Sequence, residues 1–579
     1  MRSAFSLVKY LKPYKHFAIL APILMVLEVA MDLIQPTIIQ LMIDKGIANN
    51  DTTYIISMFI IIIICAFIGL LAGAGCSYYS SKAAVNFATD LRADLYKTII
   101  YFSNNNKDKF TLGRLITNLT NDVEMLQRAL IMLLKVFVRG PFMFFGAVIV
   151  VFLTIRELFA VLLFVVPALM ISLYIFIKLS IVLFRKVQES MDQINTKVQE
   201  NLAGVRVIKA FNRMQHQVKQ FRAVNDDLTK RNRTADQVVG ALMPITQLIV
   251  NIGIVLALMF GGVKVETGAI EIGVIVAFIN YLMMIMNGLI SSSNVLIQIA
   301  RAIPSAERVV AVLEEQLDIT NIKKPVKKDI KGDVKFENVS YSYTKSGEPV
   351  LKNISFHVKA GSTVGIIGMT GSGKSTLVKL LARLMDPDEG VIYIDDILLK
   401  QYDIAILREA VGFAPQKATL FSTTIEENMK YGKIDALKEE VKEALIASNA
   451  FEFVDKLEDK EKHKLTQGAT NLSGGQKQRL ALSQAFIRNP KILVLDDRTS
   501  AVDRISEKMI QSNIRKNNKD STKFIVSSKI SSIKHADLIV VLKDGRMIDQ
   551  GTHEKLEKTC PHYQEMLKTQ AEKGGAIDA

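Results

Sequence analysis

Cysteine is scarce in this sequence: 579 residues carry only Cys65, Cys76 and Cys560. Their spacing fits neither a disulfide framework nor a metal-ligand pattern, and the first two fall in or beside an apolar run, so they read as structural thiols. Signs of nucleic-acid binding are equally thin. The formal charge is +15, yet no basic patch interleaved with aromatics and no helix-turn-helix pattern accompanies it, which sets nucleic acid aside as a partner. There is no internal repeat of fixed period and no low-complexity tract beyond Gly574-Gly575-Ala576, which marks 571–579 as an expected disordered tail. No small-residue cleavage site follows the first apolar run. The basic, amphipathic stretch through Lys15 is therefore expected to stay in place as a cytosolic elbow and membrane anchor.

Apolar runs are abundant. The sequence is 49 % hydrophobic, with the excess concentrated before about residue 300, and so long a chain needs at least two domains. Roughly 20 apolar residues are needed to cross a bilayer. Six stretches qualify: 17–43, 54–79, 129–153, 157–183, 240–264 and 272–299. The short connections near Asn49-Asn50-Asp51, Ile155-Arg156-Glu157 and Glu266-Thr267-Gly268 are poor in basic residues and are expected outside. The two long ones, 80–128 and 184–239, are polar, helical in pattern and rich in Lys and Arg, including Lys82, Arg92, Lys97, Arg185, Lys186 and Arg206. Positive charge places both, with the two termini, in the cytosol, where their breaks near Ser103-Asn104-Asn105-Asn106 and Asn212-Arg213 form candidate docking tips. The basic charge also suits anionic lipid headgroups.

Basic, proline-containing Lys323-Lys324-Pro325-Val326-Lys327-Lys328 reads as a linker, after which strand-like and helical runs alternate. The domains expected are a membrane domain over 1–316, a linker over 317–331 and a soluble α/β domain over 332–570. Within the last, Gly368-Met369-Thr370-Gly371-Ser372-Gly373-Lys374-Ser375 follows the apolar strand 363–367 and opens a helix at Thr376. Such a loop wraps its backbone N–H groups around phosphates, with Lys374 reaching the β/γ oxygens and Ser375 holding Mg²⁺. A second apolar run, 491–495, ends in Asp496, placed to bind the same Mg²⁺ from the sheet's carboxyl edge.

Leu472-Ser473-Gly474-Gly475-Gln476 shortly before that strand completes the pattern. The chain resembles ABC transporters across its whole length, and most of all the half-transporters of heterodimeric bacterial multidrug exporters. Asn201 to Phe211 and Leu119 to Val123 look like the family's intracellular helix segments. The resemblance implies an all-α, six-helix transmembrane domain of the type I exporter kind, followed by an α/β P-loop nucleotide-binding domain using ATP and Mg²⁺. It assigns Tyr343 to adenine stacking and Gln416 to the loop linking Mg²⁺ with the membrane domain. Asp503 falls in the D-loop, and Ser473, Gly474, Gly475 and Gln476 form the signature loop that completes a partner's nucleotide site.

Two positions depart from the family's pattern. Asp497 stands where a glutamate polarises the attacking water, its carboxylate one methylene, roughly 1.5 Å, farther back, and misplacement by about 1 Å can cost about 100-fold in rate. Ser528 stands in the histidine position of the switch segment, too short to bridge the γ-phosphate and without a cationic form. Arg498-Thr499 also differs from the usual approach to the D-loop, and Leu465-Thr466-Gln467-Gly468 lacks the charged pair common in exporters. The expected protein is a cell-membrane half-transporter whose own site binds ATP and turns it over poorly, while its signature loop serves a second, different half-transporter. A regulatory ATP-sensing subunit and a slow homodimeric exporter stay open as alternatives.

For the cargo, Asn280, Asn287 and Asn294 recur every seven residues in the last span beside Met283, Met284 and Met286. They form either a pliable cavity for hydrophobic or amphiphilic compounds or interhelical hydrogen bonds and core. Glu28 and Asp32 share one face of the first span and either attract cations, relay protons, or pair with Lys135 or Arg139.

Overall fold

A computed structural model describes residues 5–344, 347–497, 509–514 and 520–575, with backbone alone at 294, 296, 297, 300 and 571–575. Contacts divide the chain into two units, Met1–Ile100 with Leu112–Glu315 and Tyr101–Thr111 with Gln316–Ala579.

Among the described residues of the first unit, six helical stretches are long and apolar enough to cross a membrane. The helices are α1 (Lys15–Leu41), α2 (Thr52–Ile100), α4 (Val123–Thr154), α5 (Phe159–Ala203), α6 (Met214–Gly240) continuing into α7 (Leu242–Glu266), and α8 (Ile272–Leu313), with the short α3 (Asn104–Lys109) between α2 and α4. At 49 residues α2 runs about 74 Å, far more than a bilayer is thick, because polar, helix-compatible sequence follows its apolar half without a breaker. Where the bilayer offers no hydrogen bonds, side chains tie helices together. Buried Tyr281 of α8 donates to the Leu33 carbonyl at 2.8 Å and shares a 2.7 Å bond with Thr37, both on α1. Asp44 takes the Gly273 N–H at 2.6 Å, fixing the start of α8. At the amino end, the hydroxyls of Tyr10 and Tyr14 donate to Asp94 and Asp90 of α2, both at 2.9 Å, while Phe5 and Val8 stay exposed. The elbow is thus clipped to α2 and keeps an apolar edge outward.

In the second unit, β1 (Val334–Tyr341), β2 (Leu351–Val358), β4 (Glu389–Ile394) and β5 (Ile397–Leu398) form an antiparallel sheet in the order β2-β1-β4-β5. The second sheet runs β10-β9-β3-β8-β7-β6, using β3 (Thr363–Gly368), β6 (Val411–Ala414), β7 (Ile492–Asp496), β8 (Thr522–Val526), β9 (Leu538–Lys543) and β10 (Arg546–Gly551). Its inner strands are parallel and carry near-continuous apolar sequence, as burial on both faces requires. The core joins Phe336, stacked on Phe356 at 4.6 Å, to Leu377 and Leu381 of α9 (Lys374–Leu381) and to Val494 and Phe524 of the parallel sheet. In an open parallel sheet the crevice outside the strands' carboxyl ends is where ligands bind, which puts ligand chemistry at that edge of β3, β7 and β8. The chain continues through α10 (Gly474–Phe486), α11 (His553–Thr559) and α12 (Pro561–Gly575).

Two expectations change. The segment 101–111, expected inside the 1–316 membrane domain, clusters with the soluble unit. The tail expected to be disordered from 571 is helical as far as Gly575, because α12 packs Tyr563 and Met566 into a core with Ile367, Ile530 and Ile533 and carries its last turns along.

Candidate functional site

The loop between β3 and α9 turns on Gly371 (φ +87°) and Gly373 (φ +94°), a backbone region that side chains rarely adopt. At Gly373 a Cβ would also sit 2.7 Å from Leu351 and 2.9 Å from the Val350 carbonyl oxygen. Ser372 is buried and Thr370 exposed within the turn, and Thr376 lies in the first turn of α9. Lys374 Nζ donates to the carbonyls of Gly368 (2.7 Å) and Met369 (2.9 Å), folding back over the loop mouth. Burial pushes its ammonium below the ordinary lysine range, while Asp497 and Asp496 pull the other way.

Ser375 donates its hydroxyl to Asp496 Oδ1 at 2.8 Å, and Asp496 is buried at the end of β7. A hydroxyl and a carboxylate held together beside a phosphate loop are hard oxygen donors that suit Mg²⁺. The Ser372 Oγ is buried without a hydrogen-bond partner, a further polar atom facing a loop built for an anion. These residues fit Mg²⁺–ATP: Ser375 and Asp496 would hold the ion, and the loop amides and Lys374 the phosphates. Bound Mg²⁺ neutralises phosphate charge; the chain's own groups orient the nucleotide and exclude water.

Asp497 follows in the left-handed region (φ +46°), its N–H bonded to the Val526 carbonyl at 2.9 Å. The next two residues open the switch segment. Ser527 N–H donates to the Ile366 carbonyl at 3.1 Å, and Ser528 lies exposed just past β8. Asp496, Asp497 and Ser528 thus share one edge with the phosphate loop. Tyr343 bonds Thr376 through its hydroxyl at 3.1 Å and meets Tyr341 edge-on at 5.3 Å, leaving its ring partly exposed beside the loop. Gln416 is exposed two residues beyond β6. Asp503 lies outside the described residues.

The signature loop caps α10. Ser473 Oγ accepts the Gln476 N–H at 3.3 Å and its own N–H donates to Gln476 Oε1 at 2.8 Å, a capping box that leaves the Ser473 hydroxyl proton available. A Cβ on Gly474 would meet nothing within 4 Å, so no neighbour in this chain requires glycine there. Gly475 follows in the first turn of α10.

Sequence reasoning missed how the first tip is held. Fully buried Asn106 donates to the Gln316 carbonyl at 2.8 Å and accepts from Asp318 N–H at 3.3 Å, while Ser103 donates to Asp318 at 3.1 Å. Neighbouring Asn105 accepts from the Tyr341 hydroxyl at 3.0 Å. The linker is strapped down as well: Val326 forms a parallel bridge with Tyr402, and Asn321 accepts the Ile404 N–H at 2.9 Å. The second tip differs. Around Asn212 (φ +50°), Val207, Phe211 and Met214 are exposed.

Of the membrane residues, Glu28 and Asp32 both pair with Arg139, at 3.1 and 3.2 Å, whereas Lys135 donates to Ser77 at 2.6 Å. Asn280 and Asn287 share an exposed face, Asn280 bonding the Val276 carbonyl of its own helix at 2.9 Å. Met286 belongs to the core, and the Asn294 side chain lies outside the described residues.

Fold and site together define a multi-pass membrane protein with a P-loop nucleotide-binding domain and a signature helix. Residues 18–289 match the family description "ABC transporter transmembrane region" and 351–500 match "ABC transporter". An uncharacterized ABC transporter ATP-binding protein, YfiB of Bacillus subtilis (strain 168), is 35 % identical over 98 % of this chain and 99 % of its own length. YheI of the same organism, named a probable multidrug resistance ABC transporter ATP-binding/permease protein, is 36 % identical over 68 % of each chain. A solved bacterial Atm1-family ABC exporter with ATP bound has the same fold, with a TM-score of 0.77 at 22 % identity and 98 % coverage of both chains. This chain belongs to the ABC transporter family. It is a transport ATPase with an ABC transporter membrane domain and an ATP-binding domain, and it shares the fold of that solved exporter.

Proposed function

We propose that the chain is the degenerate half of a heterodimeric exporter, working with a second, different half-transporter. Its own phosphate loop grips Mg²⁺–ATP through Gly371, Gly373, Lys374, Ser375 and Asp496, with Tyr343 on the adenine and Gln416 at the metal edge. Hydrolysis there is slow because Asp497 and Ser528 occupy the positions of the water-polarising and switch residues. The observation that carries this reading is the pairing of an assembled Ser375–Asp496 edge with those two substitutions beside it.

The signature loop of Ser473, Gly474 and Gly475 serves the partner's nucleotide. Open space around Gly474 supports this, since its small size answers to something outside this chain. The exposed apolar tip around Phe211 likewise supports a second subunit that covers it. ATP binding closes the two nucleotide-binding domains and opens the membrane domain outward; the partner's hydrolysis resets the pair. The long α2 and the tip held by Asn106 carry that movement, with both termini and the ATP-binding domain cytosolic. The cargo is hydrophobic or amphiphilic, a drug or a lipid, which the name of YheI and the exposed Asn280/Asn287 face support. In the assembled pair, Asp497→Ala is expected to leave most turnover intact, whereas Ser473→Arg abolishes it by blocking the partner's γ-phosphate contact. Equal losses from the two changes would overturn the asymmetric assignment.

A further inference from the structure

The switch segment of this chain lacks a side chain able to grasp phosphate, yet its backbone is fixed from three directions. Ser527 N–H is bonded to Ile366 in the strand that leads into the phosphate loop, at 3.1 Å. The Val526 carbonyl holds Asp497 N–H at 2.9 Å. The third hold comes from the C-terminal helix. Gln570 of α12 donates Nε2–H to the Ser528 carbonyl at 2.8 Å, and its Oε1 accepts the Ile530 N–H at 2.9 Å. One side chain thus brackets the residue in the histidine position, meeting the segment's backbone donor and acceptor together.

The packing beneath this contact makes it directional. Tyr563 and Met566 of α12 are buried with Ile530, Ile533 and Ile367, the last being the residue just before Gly368 of the phosphate loop. A shift of α12 therefore has two routes to the nucleotide edge, one through apolar contact with β3 and one through the Gln570 amide. An amide is suited to the task because it donates and accepts at once, which neither a carboxylate nor an ammonium can do.

We propose that Gln570 is a positioning residue that locks the switch backbone against the nucleotide, so that α12 sets how long ATP stays in this chain's site. The proposal rests on the reading that the site holds ATP without readily cleaving it. The backbone anchor takes over the holding role that a histidine side chain would have had, and the C-terminal helix becomes the handle by which a neighbouring subunit or a truncation tunes retention.

The test uses the full-length protein with its copurified partner in lipid nanodiscs, loaded with a fluorescent, non-hydrolysable ATP analogue and Mg²⁺ and then chased with unlabelled ATP. Lys374→Ala identifies the release phase that belongs to this chain's site by removing it. Two neutral hydrogen bonds, each contributing a few-fold, give an expected acceleration of that phase by about tenfold in Gln570→Ala. Gln570→Glu keeps the acceptor for Ile530 and loses the donor to Ser528, so about threefold is expected, and it serves as the second variant if the alanine form misfolds. Melting temperatures stay at the wild-type value in both. Release at the wild-type rate in the two variants, or equal acceleration of the partner-site phase, would overturn the assignment of Gln570. A wild-type protein with no phase sensitive to Lys374→Ala would instead sink the ATP-holding reading, and the Gln570 assignment with it.

Discussion

Replacing Asn106 by alanine gives a worked test of how the first tip is anchored. The side chain is fully buried, gives Nδ2–H to the Gln316 carbonyl, and accepts at Oδ1 from Asp318 N–H and from Ser103 N–H, both at 3.3 Å. Alanine leaves the Gln316 carbonyl and two backbone N–H groups without their partner, but Gln316 and Asp318 are exposed and water replaces part of what is lost, so the local cost is about 1.5 kcal/mol. Phe102 stacked on Phe110 at 5.8 Å remains, and the rest of the fold does not depend on the tip, so the cost is expected as local opening rather than global unfolding. At about 1.4 kcal/mol per decade, hydrogen exchange at the amides of 101–111 should speed by about one order of magnitude. Transport by the purified protein in nanodiscs should fall while its ATPase persists, because the tip that follows α2 in the chain is no longer held to Gln316 and Asp318. Asn106→Asp keeps the acceptor and loses the donor, giving an intermediate result. Unchanged exchange in 101–111, or parallel losses of transport and ATPase, would refute this account of the anchor.

Other outcomes follow from the same geometry. The charged form of Lys374 is the one that meets phosphate, and burial lowers its pKa; ATP affinity, measured by equilibrium binding, should therefore fall with rising pH before an ordinary lysine titrates near 10.4, and a flat profile to that point would contradict it. Asp122 is buried, takes two bonds from Arg308 and one from Ser305 at 2.8 Å, and Asp122→Ala should lower stability by about 2 kcal/mol, discounted for the partly exposed Arg308 and read by thermal melting. Arg139→Ala leaves Glu28 and Asp32 facing each other without their cation at membrane depth, so folded yield in detergent should drop and Glu28→Gln/Asp32→Asn in the same chain should restore it.

What could be read from the sequence was local. The phosphate loop, Asp496 and the signature loop each sit within a few residues of the strand or helix that presents them, and glycine spacing or an apolar run announces them. The six spans were legible for the same reason, since the bilayer imposes a length on contiguous apolar sequence. The features that escaped depend on pairs far apart in the chain. Nothing near Asn106 announces Gln316, 210 residues on, and nothing in Ser528 announces Gln570. Lys323 to Lys328 read as a tether because charge and proline suggest exposure, yet Val326 is held against Tyr402 by backbone bonds that any residue type can make. The small residues of 574–575 suggested disorder, and the helix reaching them owes its order to Tyr563 and Met566 a few turns earlier. Glu28 and Asp32 left function and pairing open, and only the reach of Arg139 to both carboxylates decided for pairing.

We propose that this polypeptide holds ATP it scarcely cleaves and completes the catalytic site of another, and phosphate release by the full-length chain purified free of any other ABC subunit, in nanodiscs with saturating Mg²⁺–ATP, tests this most directly. A rate slower than that of the copurified pair by about two orders of magnitude is predicted from the displaced carboxylate of Asp497. A lone chain releasing phosphate as fast as the pair would contradict the claim.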